Sequence, residues 1–389
     1  MINKFAGMLC LAGIVGISSV NAQVKTNKKD SRYQFTIEKE VGNTGVKSQD
    51  QTGTCWSFSG GSFLESEVER MGKGKVDLAD MYTVRKAYSM KANNYVRMGG
   101  KTNYGQGGAF HDVINVLRAY GVVPEAAYTG MAYGQKKHNH SELDAVSTAM
   151  LGAIIKNPEG KLNPAWNKAV ESVYDAYLGA APEKVNVGGK SISPMEYAKS
   201  LGLNADNYVE ISSFTHHPFY SQFVLEVPDN WSWDRVYNVP LNEFEQIIDN
   251  ALTNGYSVAW ASDVSEKGWF SYKDGLAIVP EKELDKMSKG EKDSLFTDPV
   301  VQRKITQEMR QEGFDNQTTT DDHGMHIVGI AKDQKGTKYY IVKNSWGTES
   351  NDCGGYFYAS AAFVMYKTTC ILVHKGAVPA AISGKLGLK

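Results

Sequence analysis

Residues 46–58 read VKSQDQTGTCWSF, and the cysteine in this stretch, Cys55, lies where a loop gives way to a predicted helix. Apolar residues follow it at helical spacing as far as Gly72, a residue type that commonly ends helices. Unpaired N–H groups and the dipole at a helix N-terminus stabilise a thiolate, the nucleophilic form of cysteine. We therefore predict that Cys55 is a catalytic nucleophile. The alternative from this segment alone is a small buried cysteine on a core helix.

A predicted β-hairpin in the second half of the chain supplies the base that a cysteine nucleophile needs. Residues 324–332 and 337–343 have strand character and flank a turn at 333–336. With the turn centred between its first two residues, His323 and Asn344 lie directly opposite one another. A turn centred one residue later would offset them by about two positions, which long side chains still bridge. In either case the Asn344 amide oxygen can orient the His323 imidazole toward a thiolate.

The other histidines are predicted to have no catalytic role. Strand alternation places His326 on the opposite face from His323, which favours a packed, hydrogen-bonded side chain. The pairs within 138–140 and 216–217 lack cysteine or carboxylate partners at a metal-binding spacing, so we expect solvated histidines there. The sequence predicts neither a metal site nor a cofactor.

Three motifs together resemble the papain-like cysteine peptidases, and within them the bleomycin hydrolase and aminopeptidase C branch. The motifs are Gln49-x5-Cys55-Trp56, His323-Gly324-Met325 and Asn344-Ser345-Trp346-Gly347. They occur in the family's order, and the resemblance spans roughly residues 46–375. It implies an α+β fold with two lobes, a helical one and a β-barrel-like one, together with a helical insertion.

The resemblance also implies a role for each catalytic residue. Cys55 is the nucleophile, His323 the acid–base, and Asn344 the residue that orients the imidazole. Gln49 donates its side-chain amide to the tetrahedral oxyanion, together with the backbone N–H of Cys55. Trp346 covers the bond between His323 and Asn344 and keeps water away from it.

Substrate-binding positions follow from the same resemblance. Gly107 and Gly108 stand where the family has a double glycine that walls the cleft and offers bare backbone to an extended peptide. Residues 376–389 imply an extended C-terminal arm in the cleft, whose terminal carboxylate, on Lys389, holds the free ammonium group of the substrate. The implied activity is removal of residues from the N-terminus of short peptides. An endopeptidase with an open cleft and a catalytically silent binding or scaffold protein are the alternatives.

The chain divides into six predicted segments. These are a signal peptide (1–22), an N-terminal segment (23–45), a helical catalytic lobe (46–128), a mainly helical insertion (129–245), a β-rich catalytic lobe (246–375) and the arm (376–389). A lysine followed by an apolar run and small residues is typical of a secretory signal. We therefore expect an exported protein, periplasmic or secreted, without a membrane anchor after cleavage.

Composition limits the partners. The formal net charge of −1 gives no general attraction to nucleic acid or anionic lipid, so peptide substrates are the expected partners. The resemblance implies a homo-oligomer, with a hexamer favoured over a smaller ring or a monomer. For Cys353 and Cys370, two separate thiols are favoured over a disulfide, although export would permit the bond.

Overall fold

A computed structural model describes residues 24–132 and 134–388. The predicted signal peptide and Lys389 lie outside the described residues. The α-helices are α1 (Cys55–Arg70), α2 (Asp80–Arg97), α3 (Phe110–Tyr120), α4 (Ser141–Lys156), α5 (Ala165–Leu178), α6 (Pro194–Ser200), α7 (Leu241–Thr253), α8 (Lys289–Asp293), α9 (Gln307–Asp315), α10 (Ala361–Lys367) and α11 (Ala380–Leu386).

The β-strands include the predicted hairpin. They are β1 (Val24–Lys25), β2 (Phe35–Glu40), β3 (Val185–Val187), β4 (Lys190–Ile192), β5 (Tyr208–Ser212), β6 (Gln222–Val224), β7 (Arg235–Asn238), β8 (Val258–Ser262), β9 (Phe270–Ser271), β10 (Leu276–Ala277), β11 (His323–Lys332), β12 (Lys338–Lys343), β13 (Tyr356–Ser360) and β14 (Thr368–His374).

Most of these strands form one large sheet with β8 and β11 near its centre. Its order is β6-β7-β5-β14-β8-β11-β12-β13-β10-β9, and β2 pairs with both β11 and β1. The hairpin prediction is confirmed, and of its two alternatives direct opposition of His323 and Asn344 is wrong, whereas the offset of about two positions is observed. His326 pairs with Lys343, so one further step along the register sets Asn344 opposite Met325. The offset from His323 is therefore two residues, and the register shifts at a bulge between Ile327 and Gly329.

Two hydrophobic cores give the molecule its two lobes. One packs helices α1 to α6 together, and its buried members include Phe63 of α1, Leu143 of α4 and Tyr174 of α5. The other lies around the large sheet and includes Trp260 and Met325. The helices of the predicted insertion thus share the core of the helical catalytic lobe rather than forming a separate domain.

The predicted insertion is helical only in its first part. Helices α4, α5 and α6 meet the prediction for residues 129–245, but residues 208–238 carry β5, β6 and β7 of the large sheet. These strands are three to five residues long. Such short strands have little pattern of their own and owe their stability to pairing, here through β5 with β14.

The extended C-terminal arm is also wrong for the described residues. Residues 380–386 form α11, and its apolar side chains Ile382 and Leu386 are buried in the core of the β-rich lobe. Lys385 Nζ lies 2.5 Å from Glu243 Oε1 of α7, which holds α11 against that helix. The role assigned to the carboxylate of Lys389 falls on a residue outside the described part of the chain.

Two further features concern the molecular surface. Among residues 24–132 and 134–388, no helix is both long and apolar enough to cross a membrane. The charge-rich stretch 281–293 contains a short 3₁₀ turn and α8, and most of its side chains are exposed. The charges of this stretch are therefore solvated.

Helix α1 packs closely against its neighbours at two consecutive glycines, Gly60 and Gly61. A Cβ atom at Gly60 would lie 2.6 Å from Val113 Cγ2, and one at Gly61 would overlap the Oδ1 atom of Asp80. Both positions are buried. Glycine in the middle of this helix therefore lowers the intrinsic stability of the helix but permits the contact with α2 and α3.

We predict that Gly61→Ala lowers the free energy of unfolding by about 1–3 kcal/mol, because the added methyl group must displace buried atoms. Gly152→Ala is the matched control, since Gly152 lies within α4 and a Cβ there would meet no atom within 4 Å. That variant should gain up to about 1 kcal/mol. Urea unfolding of both variants measures the difference, and equal effects would contradict the packing of α1.

Candidate active site

Cys55 is the first residue of α1, and its sulfur faces strand β11. The backbone N–H of Gly324 lies 3.4 Å from Cys55 Sγ. Burial raises the pKa of the Cys55 thiol to about 11, and the charge of Asp229 adds to the shift. The expectation of a thiolate stabilised by the helix N-terminus is therefore wrong for the resting site. Cys55 is a neutral thiol there, and it needs a base to remove its proton.

His323 is the base that the geometry supplies. Its Nε2 lies 2.8 Å from Asn344 Oδ1, and this oxygen also accepts the backbone N–H of Ser345 at 2.8 Å. Because Asn344 presents its oxygen, Nε2 carries the proton of the neutral ring and Nδ1 is left as an acceptor. Burial lowers the pKa of His323 to about 4, although the bond to Asn344 opposes this. The imidazole is thus neutral at pH 7 and able to take a proton.

Trp346 covers the imidazole as predicted. Its ring stacks on that of His323 with centroids 4.6 Å apart and an interplanar angle of 28°. Tyr272 packs edge-on against Trp346, with ring centroids 4.7 Å apart. This aromatic cover shields the bond between His323 and Asn344 from water, which strengthens that bond.

The loop that carries Gln49 is fixed to the segment after Asn344. The backbone N–H of Gln49 donates to Ser345 O at 2.9 Å, and that of Gly347 donates to Lys47 O at 3.1 Å. The Gln49 amide is oriented at both ends, because Oε1 accepts from Ser345 Oγ at 2.6 Å and Nε2 donates to Thr52 O at 2.7 Å. One Nε2 proton remains available. This proton and the backbone N–H of Cys55, the first residue of α1, can both be donated to an oxyanion.

The two predicted cleft glycines occupy different environments. Gly108 lines the same cavity as Cys55 and His323. A Cβ there would lie 2.8 Å from Trp56 Cε2, so only glycine fits. Gly107 is covered instead, because a Cβ at that position would overlap the carboxylate of Asp229. Only Gly108 therefore presents its backbone to the cavity.

The prediction for His326 is confirmed. Its ring is fully buried, and Nδ1 lies 2.9 Å from Ser62 Oγ of α1. Ser62 also accepts from Lys343 Nζ at 2.7 Å. His326 is thus part of the contact between the lobes, away from the catalytic pair.

The prediction of solvated histidines is wrong for one pair and confirmed for the other. His138 and His140 are buried, and His140 Nδ1 lies 3.0 Å from the Tyr88 hydroxyl. His216 is exposed and His217 half-buried, and their Nε2 atoms are 3.1 Å and 2.8 Å from the two carboxylate oxygens of Glu226.

The cluster of His216, His217 and Glu226 has donor atoms within 4.8 Å of one another. However, Gln311 Nε2 donates to His216 Nδ1 at 3.0 Å, and the Gln311 oxygen accepts the N–H of Thr215. With its Nδ1 accepting, the neutral His216 ring carries its proton on Nε2 and donates it to Glu226. The hydrogen bonds account for this cluster without a metal ion.

Sequence reasoning missed the acidic residues that line the cavity. Asp321 and Asp322 directly precede His323, and Asp229 and Glu210 come from the segment assigned to the insertion. The two consecutive acids before His323 are a visible signal. The position of Asp229 depends on the tertiary fold, and the sequence contains no local sign of it. Cys370 also lines the cavity, and all three cysteines of the described residues are free thiols.

The fold and this constellation define a papain-like cysteine peptidase of the α+β class, in the bleomycin hydrolase and aminopeptidase C branch. The chain belongs to the Peptidase C1-like family, whose model matches residues 183–387. It is 25% identical to aminopeptidase C of Lactobacillus delbrueckii subsp. lactis over 386 residues, which cover 87% of this chain and 81% of the relative.

Two further similarities extend over most of the chain. Aminopeptidase W of the same organism is 23% identical over 398 residues, covering 90% of this chain and 84% of the relative. The crystal structure of PepW from Lactobacillus rhamnosis HN001 superimposes with a TM-score of 0.70 at 20% identity, covering 90% of this chain and 84% of that one. The predicted fold class is confirmed by this likeness.

We predict that His323→Ala lowers kcat/KM for peptide hydrolysis by about 10²- to 10⁴-fold, because it removes the proton acceptor for Cys55. His326→Ala is the matched control three residues along the same strand. It should retain most of the activity and lose about 1–3 kcal/mol of stability, since Ser62 loses one of its two buried partners. Steady-state kinetics and urea unfolding test the pair, and the reverse pattern would show that the assignment of the two rings is wrong.

Proposed function

We propose that this protein is an exported cysteine aminopeptidase that removes residues from the N-terminus of short peptides through a thioester acyl-enzyme. The observation that carries the exopeptidase assignment is that the loop between β6 and β7 forms part of the wall of the cavity that contains Cys55 and Gly108. Leu225, Val227 and Asp229, on the loop between β6 and β7, line the same cavity as Cys55. An endopeptidase cleft must continue past this point to hold several residues before the cleaved bond. The names of the aminopeptidase relatives agree with the proposal.

The proposed reaction begins with proton transfer from Cys55 Sγ to His323 Nδ1 as the sulfur attacks the peptide carbonyl carbon. The carbonyl oxygen becomes an oxyanion and accepts the backbone N–H of Cys55 and the free Nε2 proton of Gln49. Loss of one such donor typically costs about 2.7–4 kcal/mol of transition-state stabilisation. Asn344 holds the imidazole so that Nδ1 faces the sulfur throughout.

In the second half of the reaction, the His323 imidazolium returns its proton to the leaving amine as the C–N bond breaks. The acyl group remains on sulfur as a thioester. A water molecule then gives a proton to His323 Nδ1 and attacks the thioester carbonyl. Collapse of that intermediate breaks the C–S bond, and the proton on His323 restores the Cys55 thiol.

Export and assembly are proposals that rest on sequence and resemblance. The apolar N-terminal run supports export, and membership of the branch supports a homo-oligomer. Light scattering on the mature protein that returned the mass of one chain would contradict the proposed assembly.

We predict that the wild-type protein hydrolyses a fluorogenic peptide with a free α-amine at least about tenfold faster, in kcat/KM, than its N-acetylated counterpart. A hydrogen bond to a charged group has a net value of about 1.5–3 kcal/mol, which is sufficient for this preference. Cys55→Ala is the control and should hydrolyse neither substrate. Equal rates, or faster cleavage of the blocked peptide, would favour an endopeptidase, and no hydrolysis of either would favour a silent binding protein.

A further inference from the structure

An acidic side chain, Asp229, lies in the wall of the catalytic cavity. Asp229 lines the cavity that contains Cys55, His323 and Gly108. Its negative charge is one cause of the raised pKa of the Cys55 thiol, which shows that the two groups are close enough to interact. Its carboxylate also fills the space beside Gly107 that a side chain at that position would need.

Asp229 has one carboxylate oxygen to offer a ligand. Oδ1 accepts from Asn103 Nδ2 at 3.1 Å, and the backbone N–H of Asp229 donates to Asp321 Oδ2 at 2.9 Å. Within the described ranges 24–132 and 134–388, Oδ2 has no hydrogen-bond partner. These bonds fix the side chain and leave Oδ2 free.

The positive groups near this carboxylate already have partners. Lys91 Nζ donates to the carbonyls of Gly105 and Gly107. His111 Nδ1 lies 2.9 Å from Glu210 Oε2 elsewhere on the cavity wall. Glu210 balances His111, and Lys91 is one positive charge near Asp229, Asp321 and Asp322, so the cavity wall stays negative and favours a cationic ligand.

The substrate of an aminopeptidase has its positively charged α-ammonium group close to the bond that is cleaved. Only one carbon atom separates the α-nitrogen from the carbonyl carbon that Cys55 attacks, so the two atoms lie about 2.5 Å apart. A carboxylate oxygen bound to the ammonium group lies about 2.8 Å beyond the nitrogen. The anchoring carboxylate must therefore belong to the wall of the catalytic cavity itself, which Asp229 does.

We propose that Asp229 binds the α-ammonium group of the substrate and that its bulk blocks chains extending beyond this group. This inference rests on the proposed aminopeptidase function and names the residue that sets its specificity. Asp321 is the positioning residue, because it accepts the backbone N–H of Asp229. The side chain has two separable effects, attraction of the ammonium group by its charge and exclusion of longer chains by its volume.

Two substitutions separate these effects. Asp229→Asn keeps the volume and the acceptor for Asn103 but removes the charge. It should lower the ratio of kcat/KM for the free-amine peptide to that for the N-acetylated peptide by about 10- to 100-fold, mainly through KM of the free-amine peptide, since any effect of the lost charge on Cys55 is common to both substrates. Asp229→Ala should show the same loss and also raise cleavage of the N-acetylated peptide. Glu226→Gln is the matched control, since that carboxylate lies three residues away and faces His216 and His217; it should behave as wild type.

A des-amino substrate provides a second measurement, because it removes the same interaction from the substrate instead of from the protein. Wild-type protein should cleave the des-amino peptide as slowly as Asp229→Asn cleaves the free-amine peptide. The two changes should not add when combined, because both remove the same interaction. Additive losses, or an unchanged preference for the free amine in Asp229→Asn, would overturn the assignment of Asp229. A wild-type protein without any preference for the free amine would instead overturn the aminopeptidase proposal.

The pH dependence of the preference gives an independent readout. Burial raises the pKa of Asp229 to about 6, with a further contribution from the charge of Asp321. Asp112 acts in the same direction, while Lys91 and the bond from Asn103 oppose the rise. The ratio of free-amine to N-acetylated cleavage should therefore fall as pH decreases from 7 to 5 in the wild type and stay flat in Asp229→Asn. A falling ratio in both proteins would contradict the proposal.

Discussion

The close approach of helix α1 to strand β11 at Gly324 is the constraint on which the active site depends. A Cβ atom at Gly324 would lie 3.1 Å from Trp56 Cα and 2.9 Å from Ser59 Oγ, so the strand can lie against the helix only where it has no side chain. His323 precedes this glycine directly, and the contact brings its ring into the cavity of Cys55. Each lobe therefore contributes one half of the catalytic pair, and the fit between the lobes determines their geometry.

A buried polar network holds the lobes in this position. Ser62 of α1 bonds both His326 and Lys343 of the hairpin, and Lys47 pairs with Glu65 and Asp80 below the Gln49 loop. Removing one partner of such a network leaves a buried charge without compensation, which typically costs about 3–5 kcal/mol.

Burial also keeps Cys55 and His323 neutral at rest. Proton transfer between them then creates opposite charges that attract one another by about 4 kcal/mol at 4 Å separation.

Local patterns predicted much of the site and the elements that carry it. Cys55 at a helix start and the hairpin around residues 333–336 are signals within a few residues of chain, and both are confirmed. The offset between His323 and Asn344 is set mainly by the turn, because Lys332 pairs with Lys338, and the bulge between Ile327 and Gly329 then reduces it from three residues to two. The turn residues alone leave its centre open, and the bulge has no local signal in the sequence. Helix α11 was missed because it is only seven residues long and contains Gly384, and burial of Ile382 and Leu386 stabilises it. Asp229 reaches the cavity only through long-range packing.

Covalent labelling tests the central assignment most directly, because two of the free thiols, Cys55 and Cys370, line the same cavity. The protein would be treated with an epoxysuccinyl peptide inhibitor, digested, and the modified peptide identified by mass spectrometry. We predict one adduct per chain, on Cys55, because His323 can accept its proton, whereas burial raises the pKa of Cys370 well above its usual range. An adduct on Cys370, or no adduct in folded protein, would contradict the assignment of Cys55 as the nucleophile.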